Sequence, residues 1–385
     1  MSNRIYLDHN ATTPVDPRVL EAMLPYFTEV FGNAASVDHE YGYEAKRAVD
    51  QSREQIAELI NAHPDEIIFT SGATEADNLA LLGVAERYTS KGDHIITCVT
   101  EHKAVLDCCK RLEKLGKQVT YLPVDSDGMV DLESVRQAIT PRTILISIMA
   151  ANNEIGTLAP LSKIGALAAE RGILFHTDAA QALGHIPIDV QNMNIHLMSM
   201  SAHKIYGPKG IGSLYVRSSN PRARVSPIVY GGGHERGMRS GTLNVPSIVG
   251  LGEAVHIAKS EMQSDSVRFR AWTSQMFKEF REALSDVLLN GHPTARLSNN
   301  LNVSFAGVES KALIIELKEV AIATGSACTS LSIEPSHVIS ALGYGKERSH
   351  NAIRISVGRT NSDEQIKLAV CSITKAVERL RLLSM

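Results

Sequence analysis

Lys204 closes the stretch Ser201-Ala202-His203-Lys204, which follows the apolar run LMSMSA and leads into a Gly- and Pro-rich turn. A lysine titrates near pH ~10.4, so it becomes an amine nucleophile at neutral pH only when desolvated or crowded by other cations. Otherwise it is a solvated surface charge. Asp178 ends a second apolar run, ILFHTDAA, with Gln181 just beyond it. An acid there caps a helix, holds Mg²⁺ or pairs with a cationic heterocycle. No second carboxylate lies close by in sequence, which disfavours a metal. Ser71-Gly72-Ala73-Thr74 follows a third run, EIIFT, and opens a helical pattern. Free N–H groups and the positive dipole end make such a turn a phosphate seat, although serine and threonine also cap many ordinary helices. Phosphate donors, an acid at one strand tip and a lysine at another are what pyridoxal 5′-phosphate requires. Cys328 lies in Ala323-Thr324-Gly325-Ser326-Ala327-Cys328-Thr329-Ser330. A buried thiol is the commoner fate of a free cysteine. A run of small and polar residues reads instead as an accessible loop, suited to a thiol that must reach a substrate.

These residues need a scaffold that brings strand ends together. From about residue 15 to 255, short apolar runs alternate with helical patterns: EIIFT (66–70), HIITCVT (94–100), TILISIMA (143–150), ILFHTDAA (173–180), LMSMSA (197–202) and GSLYV (212–216). Several are apolar nearly throughout, as for strands covered on both faces. The alternation predicts an α/β domain with a mostly parallel sheet, and open sheets of that kind bind ligands beyond the carboxyl ends of their strands. Past about residue 255 the pattern changes: a helical stretch over roughly 247–288, the strand-like LNVSFAGV, a helix ESKALIIELKEV, the Cys328 loop, a strand AIRISVG and a closing helix over 362–383. This predicts a smaller α+β domain, joined by residues 1–13.

Composition narrows the class. The chain has 385 residues, 44% hydrophobic and 21% charged, with a formal net charge of -3. That charge provides no field for nucleic acid or an anionic membrane, and no apolar run approaches the ~18 residues of a membrane helix. The N-terminus MSNRIYLDHNATTP has no signal-like apolar region, and the five cysteines form no paired CxxC sets. Free thiols in the cytoplasm are the expectation. Cys98, Cys108, Cys109 and Cys371 fall in apolar strand or helical contexts and are expected to be structural.

The stretches YLDHNATTPVDP (6–17), TSGATEADN (70–78), TEHKAVLD (100–107), NNEIG (152–156), HTDAAQ (176–181), SAHKIYGPKGIG (201–212), GGGHERGMRSGT (231–242), GSACTS (325–330) and AIRISVGR (352–359) closely resemble, in this order, the NifS/IscS cysteine desulfurases of the class V aminotransferase family. GSACTS with the extended GGGHERGMRSGT block is similar to the group that includes IscS and NifS rather than the SufS-like group. The resemblance implies fold type I of the pyridoxal phosphate enzymes, with a large coenzyme-binding domain over 14–255 and a small domain formed by 1–13 and 256–385. It implies Lys204 as the Schiff-base lysine, Asp178 on the pyridinium nitrogen and Gln181 on the phenolic oxygen. Ala73, Thr74, Ser201 and His203 would hold the phosphate, joined by Thr242 from the neighbouring subunit of a homodimer with shared sites. Asn153 would lie near ring and substrate, and Arg354 would clamp the substrate carboxylate, a task suited to a bidentate guanidinium.

His102 is by its position simply a polar residue starting a helix. The family's matching histidine stacks on the ring and is proposed to move protons, which imidazole suits. Lys103 competes with Lys204 for the coenzyme but lacks the flanking Ser-x-His anchors. The implied reaction turns L-cysteine into L-alanine, with its sulfur held on Cys328 as a persulfide and passed to an acceptor protein. The acceptor would be an IscU-like iron–sulfur scaffold, a tRNA-thiolation protein or a DNA-phosphorothioation protein. A selenocysteine lyase or a small-molecule aminotransferase is the alternative on the same scaffold, and in transamination the GSACTS loop has no role. A non-catalytic scaffold protein would be expected to lack Lys204, Asp178 or Cys328, and all three are present.

Overall fold

The computed structural model describes residues 4–324 and 336–383. Twelve strands occur among the described residues: β1 (Ile5–Tyr6), β2 (Ile67–Thr70), β3 (His94–Cys98), β4 (Gln118–Leu122), β5 (Thr143–Ser147), β6 (Leu174–Asp178), β7 (Leu197–Ser201), β8 (Gly212–Val216), β9 (Val287–Leu289), β10 (Asn300–Phe305), β11 (Val320–Ala321) and β12 (Ala352–Ser356). Seven of them form the large sheet, in the order β2-β8-β7-β6-β5-β3-β4. Neighbours from β7 to β4 run parallel, while β8 is antiparallel to both β2 and β7. Apart from β4, every residue of these strands is buried, which is why their sequences are apolar nearly throughout. The edge strand β4, with Gln118 exposed, lacks that signature and was not among the expected strands.

One face of the sheet packs Leu145, Leu174, Leu197 and Leu214 against the helices Ala73–Arg87 and Lys103–Lys114. The other packs Ile96, Ile146, Phe175 and Met198 against the helices Glu40–Ile60 and Leu161–Glu170 and the first half of Val245–Ala283. Val245–Ala283 starts where Asn244 Oδ1 accepts a hydrogen bond from the Ser247 N–H, with a proline in the first turn. It ends earlier than the helix expected to reach 288. Asp286 takes a positive φ of 52°, and the chain reverses into β9, which pairs with β10.

This helix changes partners along its length. Ile248, Leu251 and Val255 belong to the first core. Phe269, Trp272, Met276 and Phe280 belong to another, shared with Ile5, Leu7, Val303, Ile353, Ile355 and Ile373. The N-terminal strand β1 pairs with β11, so Ile5 and, just after the strand, Leu7 sit in this second core. β12, β10 and β9 form its three-stranded antiparallel sheet. The result is mixed α/β with a large, mostly parallel sheet, the fold class expected from the sequence.

Candidate active site

A cavity of about 600 Å³ opens at the carboxyl ends of β2, β5, β6 and β7. It is within the ordinary size range of small-molecule sites. Ala73, Thr74, His102, Asn153, Asp178, Gln181, Ser201, His203, Lys204 and Arg354 all line it, although they range from position 73 to position 354 of the chain. Lys103 also borders it, as the exposed first residue of its helix. Thr242 is exposed and does not line the cavity. Cys328 lies outside the described residues.

Lys204 stands in the one-turn helix Ala202–Lys204, directly after β7. Its Nζ donates to the backbone oxygens of Asn10 (2.6 Å) and Ala11 (2.8 Å). Gln181 Nε2 donates to the same Asn10 oxygen at 2.9 Å, so the segment 10–12 is the common rest of both side chains. His203 Nδ1 is 3.0 Å from Thr12 Oγ1. Burial, with Lys204 and Lys209 nearby, pushes its imidazole down to about 4. His203 is therefore neutral near pH 7 in this structure.

Asp178 is the last residue of β6. Its Oδ1 accepts from the Ala180 N–H at 2.8 Å. Burial raises its carboxyl above the ordinary range, while the Ala180 N–H, His102 and Lys204 pull it back. His102 caps its helix, its Nδ1 accepting from the Ala104 N–H at 3.1 Å. The capping role and a place on the cavity wall therefore coexist.

Across the cavity, Arg354 on β12 is 2% exposed. Its Nη2 meets Asp8 Oδ1 at 2.7 Å and its Nη1 donates to Asn153 O at 3.0 Å. Backbone hydrogen bonds tie its own N–H and carbonyl to Ala323. Arg354 and Asp8 come from the elements of the second core, whereas Lys204 and Asp178 come from the first.

Sequence reasoning missed Asn10, whose carbonyl receives both Lys204 and Gln181, because backbone acceptors carry no residue signature. It also missed Asp8, Asp77, Glu101 and His337. His337 Nε2 is 3.1 Å from Glu101 O. Cys98, Cys108 and Cys109 are buried as expected, and burial raises all three thiols, Cys98 to about 11 and Cys108 to about 12. Cys371 differs: it is exposed on the helix Asp363–Leu383 rather than packed.

The family model for aminotransferase class-V matches residues 5–368, nearly the whole chain. The chain belongs to the class-V aminotransferase family. Within this family it is similar to a cysteine desulfurase IscS of Rickettsia peacockii, with 52% identity over 380 residues, covering 99% of this chain and 92% of that one. Among solved structures it is similar to a NifS-like protein at a TM-score of 0.91 and 36% identity, covering 98% of this chain and 100% of that one. A structure described as SspA in complex with cysteine superposes at a TM-score of 0.81 with 40% identity, over 92% of this chain and 98% of that one. The chain falls on the cysteine desulfurase branch of the class-V aminotransferases, enzymes whose coenzyme is pyridoxal 5′-phosphate.

The residues present fit that group. The helix Ala73–Arg87 begins on the cavity wall with no side chain capping its first N–H groups. Gly72, at φ 154°, lets the chain turn into it. A β-carbon at Gly212 would stand 2.7 Å from Gly72 Cα, so glycine at 212 is what admits this close approach. An uncapped helix start with a threonine hydroxyl is a seat for a phosphate. A buried carboxylate at a strand tip suits a protonated ring nitrogen, and a lysine amine resting on backbone carbonyls at the cavity wall suits an aldehyde.

Proposed function

We propose that this enzyme acts on L-cysteine, forming L-alanine and leaving the sulfur on Cys328. The observation that carries the reading is one cavity holding the Lys204 amine, the Asp178 carboxylate and the Arg354 guanidinium. Bound pyridoxal phosphate supplies an electron sink for bond breaking at the substrate's α and β carbons. Thr74, Ser201 and His203, with the N–H groups from Ala73 onward, hold its phosphate. Asp178 would pair with the ring nitrogen, Gln181 would hydrogen-bond the phenolic oxygen, and Asn153 would lie near the ring and substrate. Lys204 is the amine that carries the coenzyme. Its amine would also move the proton at the substrate Cα, with His102 as the second proton carrier. Arg354 grips the substrate carboxylate.

The Cys328 thiolate attacks the substrate sulfur. A sulfur–sulfur bond forms as the carbon–sulfur bond breaks, and the released electron pair stays with carbon, which is protonated to alanine. Cysteine plus a thiol thus become alanine plus a persulfide, with no further oxidant.

The same reading divides the chain into a coenzyme-binding part, 14–255, and a smaller part formed by 1–13 and 256–385. The two separate apolar cores support this. It makes the protein a cytoplasmic homodimer in which Thr242 of one protomer reaches the phosphate held by the other. Exposed Leu24, Phe27, Phe31 and Tyr41 offer apolar surface for that pairing. The persulfide passes to an acceptor protein that serves iron–sulfur assembly, tRNA thiolation or DNA modification.

The test supplies the purified protein with L-cysteine and a thiol reductant and measures alanine, sulfide and keto acid. Alanine and sulfide in equal amounts are expected. Cys328→Ser should retain bound coenzyme and lose sulfide release. A keto acid as the main product would replace this reading with transamination.

A further inference from the structure

β2 ends the large sheet, with β8 on one side of it and side chains, rather than a strand, on the other. On that open edge the Phe69 N–H donates to Glu235 Oε2 at 2.7 Å. The Ile67 carbonyl accepts from Arg53 Nη1 and, at 2.7 Å, from Arg236 Nη2. Arg53 and Glu235 form a two-point ion pair at 2.9 and 2.8 Å, with side chains 8% and 2% exposed. Glu235 and Arg236 both take positive φ, 48° and 55°, which residues other than glycine seldom adopt. These contacts fix the segment 231–242 against the strand that leads into the Ser71–Thr74 turn.

In the same segment, Arg239 reaches Glu75 in the first turn of the helix Ala73–Arg87. Its Nε donates to Glu75 Oε1 at 2.8 Å and its Nη2 to Oε2 at 3.4 Å. Glu75 lines the cavity, and its Oε2 also accepts from the Ser71 N–H at 2.7 Å. Partial burial pushes its carboxyl up, but Arg239 and the Ser71 N–H outweigh that and hold it below the ordinary range, so it is ionised at neutral pH. Glu75 therefore acts in two opposed ways. It shapes the Ser71–Thr74 turn, and it sets a negative charge at the helix end whose positive pole would seat a phosphate. A carboxylate and a phosphate dianion at one helix start repel each other unless a cation offsets the charge. We propose that Arg239 is a positioning residue for the coenzyme phosphate: it offsets the Glu75 charge, so that Glu75 holds the Ser71 turn without repelling the phosphate. Arg239 acts through Glu75 and does not itself line the cavity. This role rests on the phosphate placement given above.

Absorbance titration of the full-length protein, freed of coenzyme, with pyridoxal phosphate and with pyridoxal, which lacks the phosphate, separates a charge effect from a loss of structure. Arg239→Gln should weaken pyridoxal phosphate binding about tenfold and pyridoxal binding by less than about threefold. The amide of Glu75→Gln can still accept from the Ser71 N–H. Added to Arg239→Gln, it should restore pyridoxal phosphate binding to within about threefold of the parent. Arg239→Lys, which keeps the charge without the planar fork, should also stay within about threefold. Equal weakening of both aldehydes by Arg239→Gln, weakening of neither, no recovery in the double variant, or a loss in Arg239→Lys as large as in Arg239→Gln overturns the role of Arg239 while leaving the functional reading intact. A parent protein that takes up neither aldehyde, or both equally well, would instead overturn the phosphate seat itself, and the role of Arg239 with it.

Discussion

Lys204 and Arg354 face the same cavity from different cores and are held in different ways. Lys204 rests on two backbone carbonyls, neutral acceptors that release an amine readily. Arg354 is fixed by a carboxylate, a carbonyl and paired backbone hydrogen bonds to Ala323. The contrast matches two kinds of chemical task. A group that makes and breaks a covalent bond needs a weak parking place. A group that orients a carboxylate needs its plane set in advance, since preorganisation is what a bidentate contact converts into precision.

The largest expected effect is at the releasable cation. Lys204→Ala should lower turnover by about a thousandfold or more, because in the proposed reading one group both carries the coenzyme and moves the proton. Borohydride reduction followed by peptide mapping should find the adduct at residue 204 in the parent. An adduct at Lys103 instead would reverse the assignment of the two lysines.

At the fixed cation, Arg354→Lys keeps the charge and loses the planar fork. KM for cysteine should rise about 10- to 100-fold with a smaller change in kcat, and coenzyme content should be unchanged. Equal losses in kcat and coenzyme content would mean that Arg354 supports the coenzyme rather than the substrate.

Asp8→Asn probes what fixes that arginine. With the Asp8 carboxylate replaced by an amide, a guanidinium 2% exposed loses that ion pair, and stability should fall by about 1–3 kcal/mol in urea unfolding. No change would show that the Asp8 carboxylate is not what holds Arg354 in place.

The smallest effect is at the seam between the two regions. His9, 2% exposed, packs against Tyr6 with ring centroids 5.0 Å apart. Burial and the neighbouring His185 push its imidazole down to about 4. The unfolded chain takes up this proton near pH ~6.5 and the folded chain only near 4, so the contribution is present above ~6.5 and is lost as pH falls toward 4. His9→Gln should flatten that decline by up to about 1.4 kcal/mol per pH unit, read from urea midpoints at several pH values. Comparing the two proteins cancels the other titrating groups. Parallel pH slopes would show that His9 is already protonated in the native state.

The parts of the site that were legible share one property. Asp178 and Lys204 follow apolar runs that could only be buried strands, and an open sheet gathers strand ends at one edge. The same logic located Thr74 and Ser201. Asp77 and Glu101 were not legible, because an acid near a helix start reads as a solvated or capping residue until the packing above it is known. The end of the helix Val245–Ala283 was misjudged for a related reason: β9 is three residues long and exists because β10 is there to pair with it.

The sequence by itself determined the order of the buried strands and the residue types that could hold a phosphate, an amine or a carboxylate, and its motifs carried the family resemblance. The first two follow from periodicity and side-chain chemistry, which are local. Only the tertiary structure decided that Asp8 meets Arg354 across 346 positions, and that the carbonyl of Asn10 receives Lys204. It also decided that His9 fits where a β-carbon on residue 358 would stand 2.4 Å from its ring. The physical reason is that burial and charge state belong to the space between elements: a carboxyl's neighbours, more than its own identity, decide whether it keeps its proton.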